Sequence, residues 1–321
     1  MANADQILSL IRSHIDKDDN QFLKIALQIS AVEAKAGHTV LARSINELVN
    51  EKKSLRTTRF PNQSLTRVAC SDFLLPLYDD SSLSDLILES SSLEQINRII
   101  IEFKRRIQLR QHNLDNRKRI LLYGPSGTGK TMTASVVANE IGLNLYLVRS
   151  EKLITKFMGE TSQNLAQVFD YISNVPAIYL FDEFDTLGSQ RGNDNEVGEQ
   201  RRILNTFLQL LDRGAEESIV LAATNNIDAI DRALFRRFDD VIRYQLPTVT
   251  EIKQYLITQF CRHKKLSIQN IADLLVDMSF AEIKIICSEV LKESILYDVE
   301  VSEEAFKKVI SQRIFAYKNI G

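Results

Sequence analysis

The chain has 321 residues, 44% hydrophobic and 26% charged, enough to bury a sizeable core in one large domain or two to three smaller ones. A net charge of −2 leaves no basic field that would hold nucleic acid by charge alone. Three cysteines (Cys70, Cys261, Cys287) and four histidines (His14, His38, His112, His263) fall into no paired-thiol, zinc-ligand or H-E-x-x-H spacing. Reduced buried thiols are expected, and no transition-metal site.

Residues 1–53 read as helices: Ile7, Leu8, Ile11 and Ile15, then Phe22, Ile25, Ala26, Ile29 and Val32, then, after Gly37, Val40, Leu41, Ile45, Leu48 and Val49. They are expected to form a small helical region, either a partner-docking unit or a packing extension. Met1–Asp5 lacks a basic segment followed by an apolar run, and no stretch is free of charge for the length of a membrane helix. A cytoplasmic protein without membrane contact is expected. Residues 54–82 read as a linker, polar and basic at first (Arg56, Arg59, Arg67). A helix carrying Leu93, Ile96, Ile99, Ile100, Phe103 and Ile107 follows, inside a domain expected to span 83–247.

Arg119–Tyr123 is a short apolar segment of strand type, and Met132–Ile141 a helix stopped by Gly142. Between them lies Gly124-Pro125-Ser126-Gly127-Thr128-Gly129-Lys130-Thr131, the G-x-x-x-x-G-K-[ST] pattern in strand–turn–helix context. The glycines let backbone N–H groups converge on phosphate oxygens at a helix end already favourable to anions. Lys130 places a positive charge toward the β- and γ-phosphates, and the Thr131 hydroxyl is suited to Mg²⁺. Met132, first in the helix, is counted with these nucleotide contacts. ATP and Mg²⁺ are therefore the expected ligands.

Strands at 143–148, 177–181, 219–223 and 241–246 alternate with helices at 162–172 and 201–211. That is the pattern of an α/β fold whose parallel sheet is covered by helices on both faces, as in the P-loop NTPase core. After Pro247 only helices are expected, so 248–321 reads as a small all-helical lid. The apolar run Ala177–Phe181 ends in Asp182 and Glu183. Carboxylates at the C-terminal end of a central strand lie where such sheets bind ligands. Asp182 suits Mg²⁺, Glu183 suits a base for water attacking the γ-phosphate, and nearby Asp185 is assigned a structural role.

With these motifs, residues from about 85 to 320 resemble the classical AAA group of AAA+ ATPases. The resemblance implies that Asn225, after Ala223-Thr224, helps to position the hydrolytic water. It implies that Arg236 and Arg237, within Asp231–Asp239, are arginine fingers reaching the γ-phosphate of a neighbouring subunit. Many relatives carry Arg-Pro-Gly-Arg there, and this chain has the shorter Arg236-Arg237. Ser279-Phe280-Ala281-Glu282 resembles the second sensor region but has Ala281 where other branches carry arginine, so the lid is assigned no catalytic arginine.

Lys156–Glu160 resembles the first pore loop, with Phe157 and Met158 as the pair gripping an extended polypeptide. The resemblance thus implies ATP hydrolysis by a ring, six subunits by family likeness, coupled to threading or remodelling of a protein substrate. The chain carries neither H-E-x-x-H nor G-x-S-x-G, so any proteolysis would come from a partner. Segments 153–160, 181–185 and 233–240 are similar to bacterial AAA ATPases encoded beside subtilisin-like serine proteases, pairs associated with phage defence or plasmid maintenance. Two alternatives stay open: a nucleic-acid motor or loader, which would call for basic or stacking residues at the channel, and an ATP-regulated interaction switch without threading.

Overall fold

The computed structural model describes residues 25, 29–30, 72–155, 159–187, 194–213, 217–227, 235–261 and 266–318. The chain divides into two units, 1–63 and 64–321. In the first, Ile25 and Ile29 are helical and buried, two of the positions the apolar spacing places on a helix face; the remaining calls there lie outside the described residues.

The second unit holds a six-stranded sheet in the order β1-β3-β4-β5-β2-β6. Its strands are β1 (Leu74–Leu77), β2 (Arg119–Tyr123), β3 (Leu145–Val148), β4 (Ile178–Phe181), β5 (Ile219–Thr224) and β6 (Asp240–Arg243). Five run parallel. The expectation of a parallel sheet needs one correction: β1, inside the stretch assigned to the linker, pairs antiparallel with β3 at the edge. Proline is tolerated at such an edge, and Pro76 sits there.

Each central strand feeds two cores, because successive side chains point to opposite faces. Leu121, Tyr179, Phe181, Val220 and Ala222 face one layer, with helices α5 (Glu160–Asn174) and α6 (Asp194–Arg213). Ile120, Leu122, Ile178, Leu180, Ile219, Leu221 and Ala223 face the other, with α1 (Ser90–Lys104) and α3 (Lys130–Ile141). Two short helices, α2 (Arg106–Gln111) and α4 (Ser150–Leu153), complete this part. Burial on both faces is why β4 and β5 read as continuous apolar runs. On the first face Phe207 meets Phe169, Phe181 and Phe184 at centroid distances of 5.4, 5.1 and 4.7 Å.

Among the described residues after β6 there are four helices: α7 (Val249–Gln259), α8 (Ile268–Leu274), α9 (Phe280–Tyr297) and α10 (Glu303–Lys318). Their core gathers Ile252, Leu256, Ile271, Ile283, Ile286 and Phe306. Two begin with reciprocal capping boxes, Thr248 with Glu251 and Ser279 with Glu282, which satisfy otherwise unpaired N–H groups and fix where each helix starts.

Candidate functional site

Strand order brings the sequence motifs together. β5 lies between β2, which opens into the phosphate loop, and β4, which ends at Asp182. The loop leaves β2 through Gly124, whose N–H donates to the Thr224 carbonyl at 3.2 Å. At Gly124 φ is +143°, and an added Cβ would fall 2.2 Å from the Tyr244 carbonyl oxygen. No side chain fits at that approach. The turn is braced by Thr128, whose hydroxyl donates to the Pro125 carbonyl at 2.8 Å. From below, Thr133 joins the Gly129 carbonyl to the buried Tyr244 hydroxyl, 2.6 Å away. Pro125 and Ser126 remain exposed at the tip, and Met132 is half-buried against the α1/α3 core.

Lys130 opens α3 and is buried, yet its ammonium has three acceptors: the carbonyls of Gly124 and Pro125, both at 2.8 Å, and Oδ1 of Asn225 at 2.6 Å. Burial pushes its pKa below the ordinary lysine range, while the carboxylates of Asp182 and Asp185 oppose that shift. The Thr131 hydroxyl donates to Asp182 Oδ2 at 2.9 Å, and the Glu183 N–H donates to Oδ1 of the same carboxylate at 2.9 Å. Glu183 itself sits at φ +49° with an exposed side chain, a left-handed conformation uncommon outside glycine. It turns the chain sharply as it leaves β4. Asp185 accepts from the Thr224 hydroxyl at 2.9 Å.

Lys130, Thr131, Asp182, Glu183 and Asn225 are thus brought to one end of the sheet. Arg236 and Arg237 are not. Both are exposed, and Arg237 is paired with Asp212 at the end of α6. Phe157 and Met158 lie outside the described residues.

Two features of the site come from segments distant in the chain. The lid touches the phosphate loop directly: the Ala281 N–H donates to the Gly127 carbonyl at 3.0 Å. A cavity of about 290 Å³ lies beside it, lined by Leu88, Tyr244, Gln245 and Phe280 among others. Neither follows from local pattern, since both join segments more than 100 residues apart.

Residues 120–246 match the family model described as ATPase family associated with various cellular activities (AAA). The chain is also 30% identical over 324 residues to "Uncharacterized AAA family ATPase y4kL" of Sinorhizobium fredii, an alignment covering 97% of this chain and 95% of that protein. The chain belongs to the AAA family of ATPases. Further relatives match over part of the chain. "Peroxisomal ATPase PEX1" of Dictyostelium discoideum is 42% identical over 42% of this chain and 11% of its own length. "Protein CdcH" of Halobacterium salinarum is 40% identical over 43% of this chain and 19% of its own.

As an AAA ATPase the protein hydrolyses ATP. Its oxygen donors fit a magnesium ion: Mg²⁺ prefers hard oxygen ligands and usually takes one or two from protein, the rest from phosphates and water. The adjacent Thr131 hydroxyl and Asp182 carboxylate meet that demand without a cluster of three ligating side chains, and none occurs among the described residues. No helix among the described residues is long and apolar enough to cross a membrane.

Proposed function

We propose that this AAA ATPase hydrolyses ATP at sites shared between subunits of a ring, and spends the cycle on threading or remodelling a protein substrate. The observation that carries the shared site is the place of Arg237. Its partner Asp212 also pairs with Arg119, the first residue of β2, whereas the phosphate loop leaves the other end of that five-residue strand. At about 3.3 Å per residue the two end residues are roughly 13 Å apart, too far for Arg237 to serve its own nucleotide. The adjacent pair Arg236-Arg237, placed there by that contact, can present a guanidinium to the γ-phosphate of a neighbour, and a head-to-tail contact that closes makes a ring. Six subunits follow from the family resemblance.

Within one site the roles divide by chemistry. The loop 124–131 and Met132 hold ATP, with Lys130 on the β- and γ-phosphates. Thr131 and Asp182 hold Mg²⁺, which neutralises charge on the phosphates when bound. Glu183 takes the proton of the attacking water, Asn225 orients that water, and the arginine fingers meet the charge on the transferred phosphoryl. The cavity lined by Leu88, Tyr244 and Phe280 receives the base. Phe157 and Met158 grip the substrate, residues 1–53 dock a partner, and 248–321 act as the lid. On the resemblance of segments 153–160, 181–185 and 233–240, a separate subtilisin-like serine protease works with the ring in defence or plasmid maintenance. Copurification from the native host that brings down no such protease counts against that partner.

The test is Glu183→Gln. It should retain ATP, lose turnover by about 10²–10⁴-fold and sediment as a ring with saturating ATP. A monomer under those conditions overturns the shared site. In the unsubstituted protein, stimulation by unfolded polypeptide but not by DNA or RNA is expected; the reverse result replaces the protein substrate with a nucleic acid.

A further inference from the structure

The segment around Phe238 is fastened to the body of the protein by two carboxylates. Asp212, at the end of α6, accepts from Arg237 through Oδ2 and from Arg119 Nη1 through Oδ1, the latter at 3.4 Å. Asp239 accepts from Arg119 Nε at 3.1 Å and from its Nη2, while its second oxygen takes the backbone N–H groups of Lys118 and Arg119 at 2.9 and 3.0 Å. Burial pushes the Asp239 carboxyl up, but the hydrogen bonds from Arg119 and the two N–H groups outweigh it and hold the group below the usual carboxylate range. Arg237 and Asp239 are therefore pinned on either side of the buried Phe238. Arg236 is exposed, and its side chain forms no ion pair with a carboxylate among the described residues.

We infer that the two neighbouring arginines have different tasks, and that Asp212 is a positioning residue for the hydrolysis performed at the next subunit. Arg237 is the anchor, held by Asp212, and Arg236 is the arginine presented to the neighbour's γ-phosphate. This rests on the shared-site reading above and goes past it, because that reading assigns both arginines the same role and Asp212 none. The contribution of the pair to folding is small. The side chains of Arg237 and Asp212 are 52% and 33% exposed, and ion pairs that open to water stabilise by only about 0–1 kcal/mol. Misplacement of a catalytic group by about 1 Å, by contrast, costs about 10²-fold in rate. Asp212 thus bears on rate far more than on stability.

The experiment mixes full-length variants and reads ATPase activity against mixing ratio. Asp212→Asn alone should lose about 10²-fold in turnover, with affinity for a non-hydrolysable ATP analogue unchanged within about twofold. Mixed with Lys130→Ala, whose fingers are intact, it should regain activity, since its own phosphate loop is sound. Mixed with Arg236→Ala/Arg237→Ala it should not. Asp212→Asn/Arg237→Gln should be no slower than either single change, because both act through one contact. The reference mixture is Lys130→Ala with Arg236→Ala/Arg237→Ala, which must regain activity if sites are shared. Failure of the reference mixture overturns the shared site and this inference together. Recovery there, with full turnover of Asp212→Asn or no rescue by Lys130→Ala, overturns this inference alone. Should Asp212→Asn not fold, Asp212→Glu, which moves the carboxylate by one methylene, takes its place in every mixture.

Discussion

The ammonium of Lys130 and the amide oxygen of Asn225 are 2.6 Å apart, although 95 residues separate them in the chain. Because Oδ1 accepts from the ammonium, the amide NH₂ of Asn225 is left as the donor for a water or a phosphate oxygen.

Asn225→Ala should therefore separate binding from turnover. Lys130 keeps two carbonyl acceptors, so ATP affinity should fall only a few-fold. Turnover should fall about 10²-fold, the scale for losing one oriented donor at a reacting centre. Equilibrium binding of labelled ATP beside steady-state turnover checks this. An equal loss in both would assign Asn225 to holding Lys130 alone.

Lys130 should confer a pH dependence with a definite sign. Its folded-state pKa lies below that of a free lysine, so it loses its proton earlier as pH rises. Anionic phosphate favours the charged form; affinity should be flat at neutral pH and decline on the alkaline side, with proton uptake on binding there. Calorimetry in buffers of different ionisation heat measures that uptake, and Lys130→Met should abolish it. For folding stability the sign is opposite. The cost of burying the charge is full below the folded-state pKa and is relieved as pH rises from that value to the unfolded one.

Gly127→Ala should pry the lid from the phosphate loop. Gly127 has φ +74°, and an added Cβ would stand 2.7 Å from Ser279 Oγ and 2.8 Å from Ala281 Cβ. The left-handed conformation alone costs about 1–2 kcal/mol for a residue with a Cβ. Weaker ATP binding and faster amide exchange at the start of α9 are expected. Unchanged exchange at Ala281 would show that the loop yields instead of the lid.

Much of the architecture was legible before any coordinates. Alternating apolar strands and helices around Gly124–Thr131 announce a covered parallel sheet, and the stretch after Pro247 announces the helices that follow it. The edge strand Leu74–Leu77 was not legible: four residues containing a proline, with no alternation, look the same as linker until a partner is seen. Asp212 was equally silent, one acid among many on a helix.

By itself, then, the amino-acid order determined what is local: the phosphate loop, the acids after Phe181, and the periods that bury one side of each element. Those depend on neighbours a few residues away. Tertiary structure alone decided that β5 lies between β2 and β4, so that Asn225 meets Lys130, and that Arg237 stands at the far end of β2 from the nucleotide loop. The reason is physical. Strand order and long-range ion pairs arise from packing the whole sheet at once, and no short stretch of chain encodes its distant neighbour.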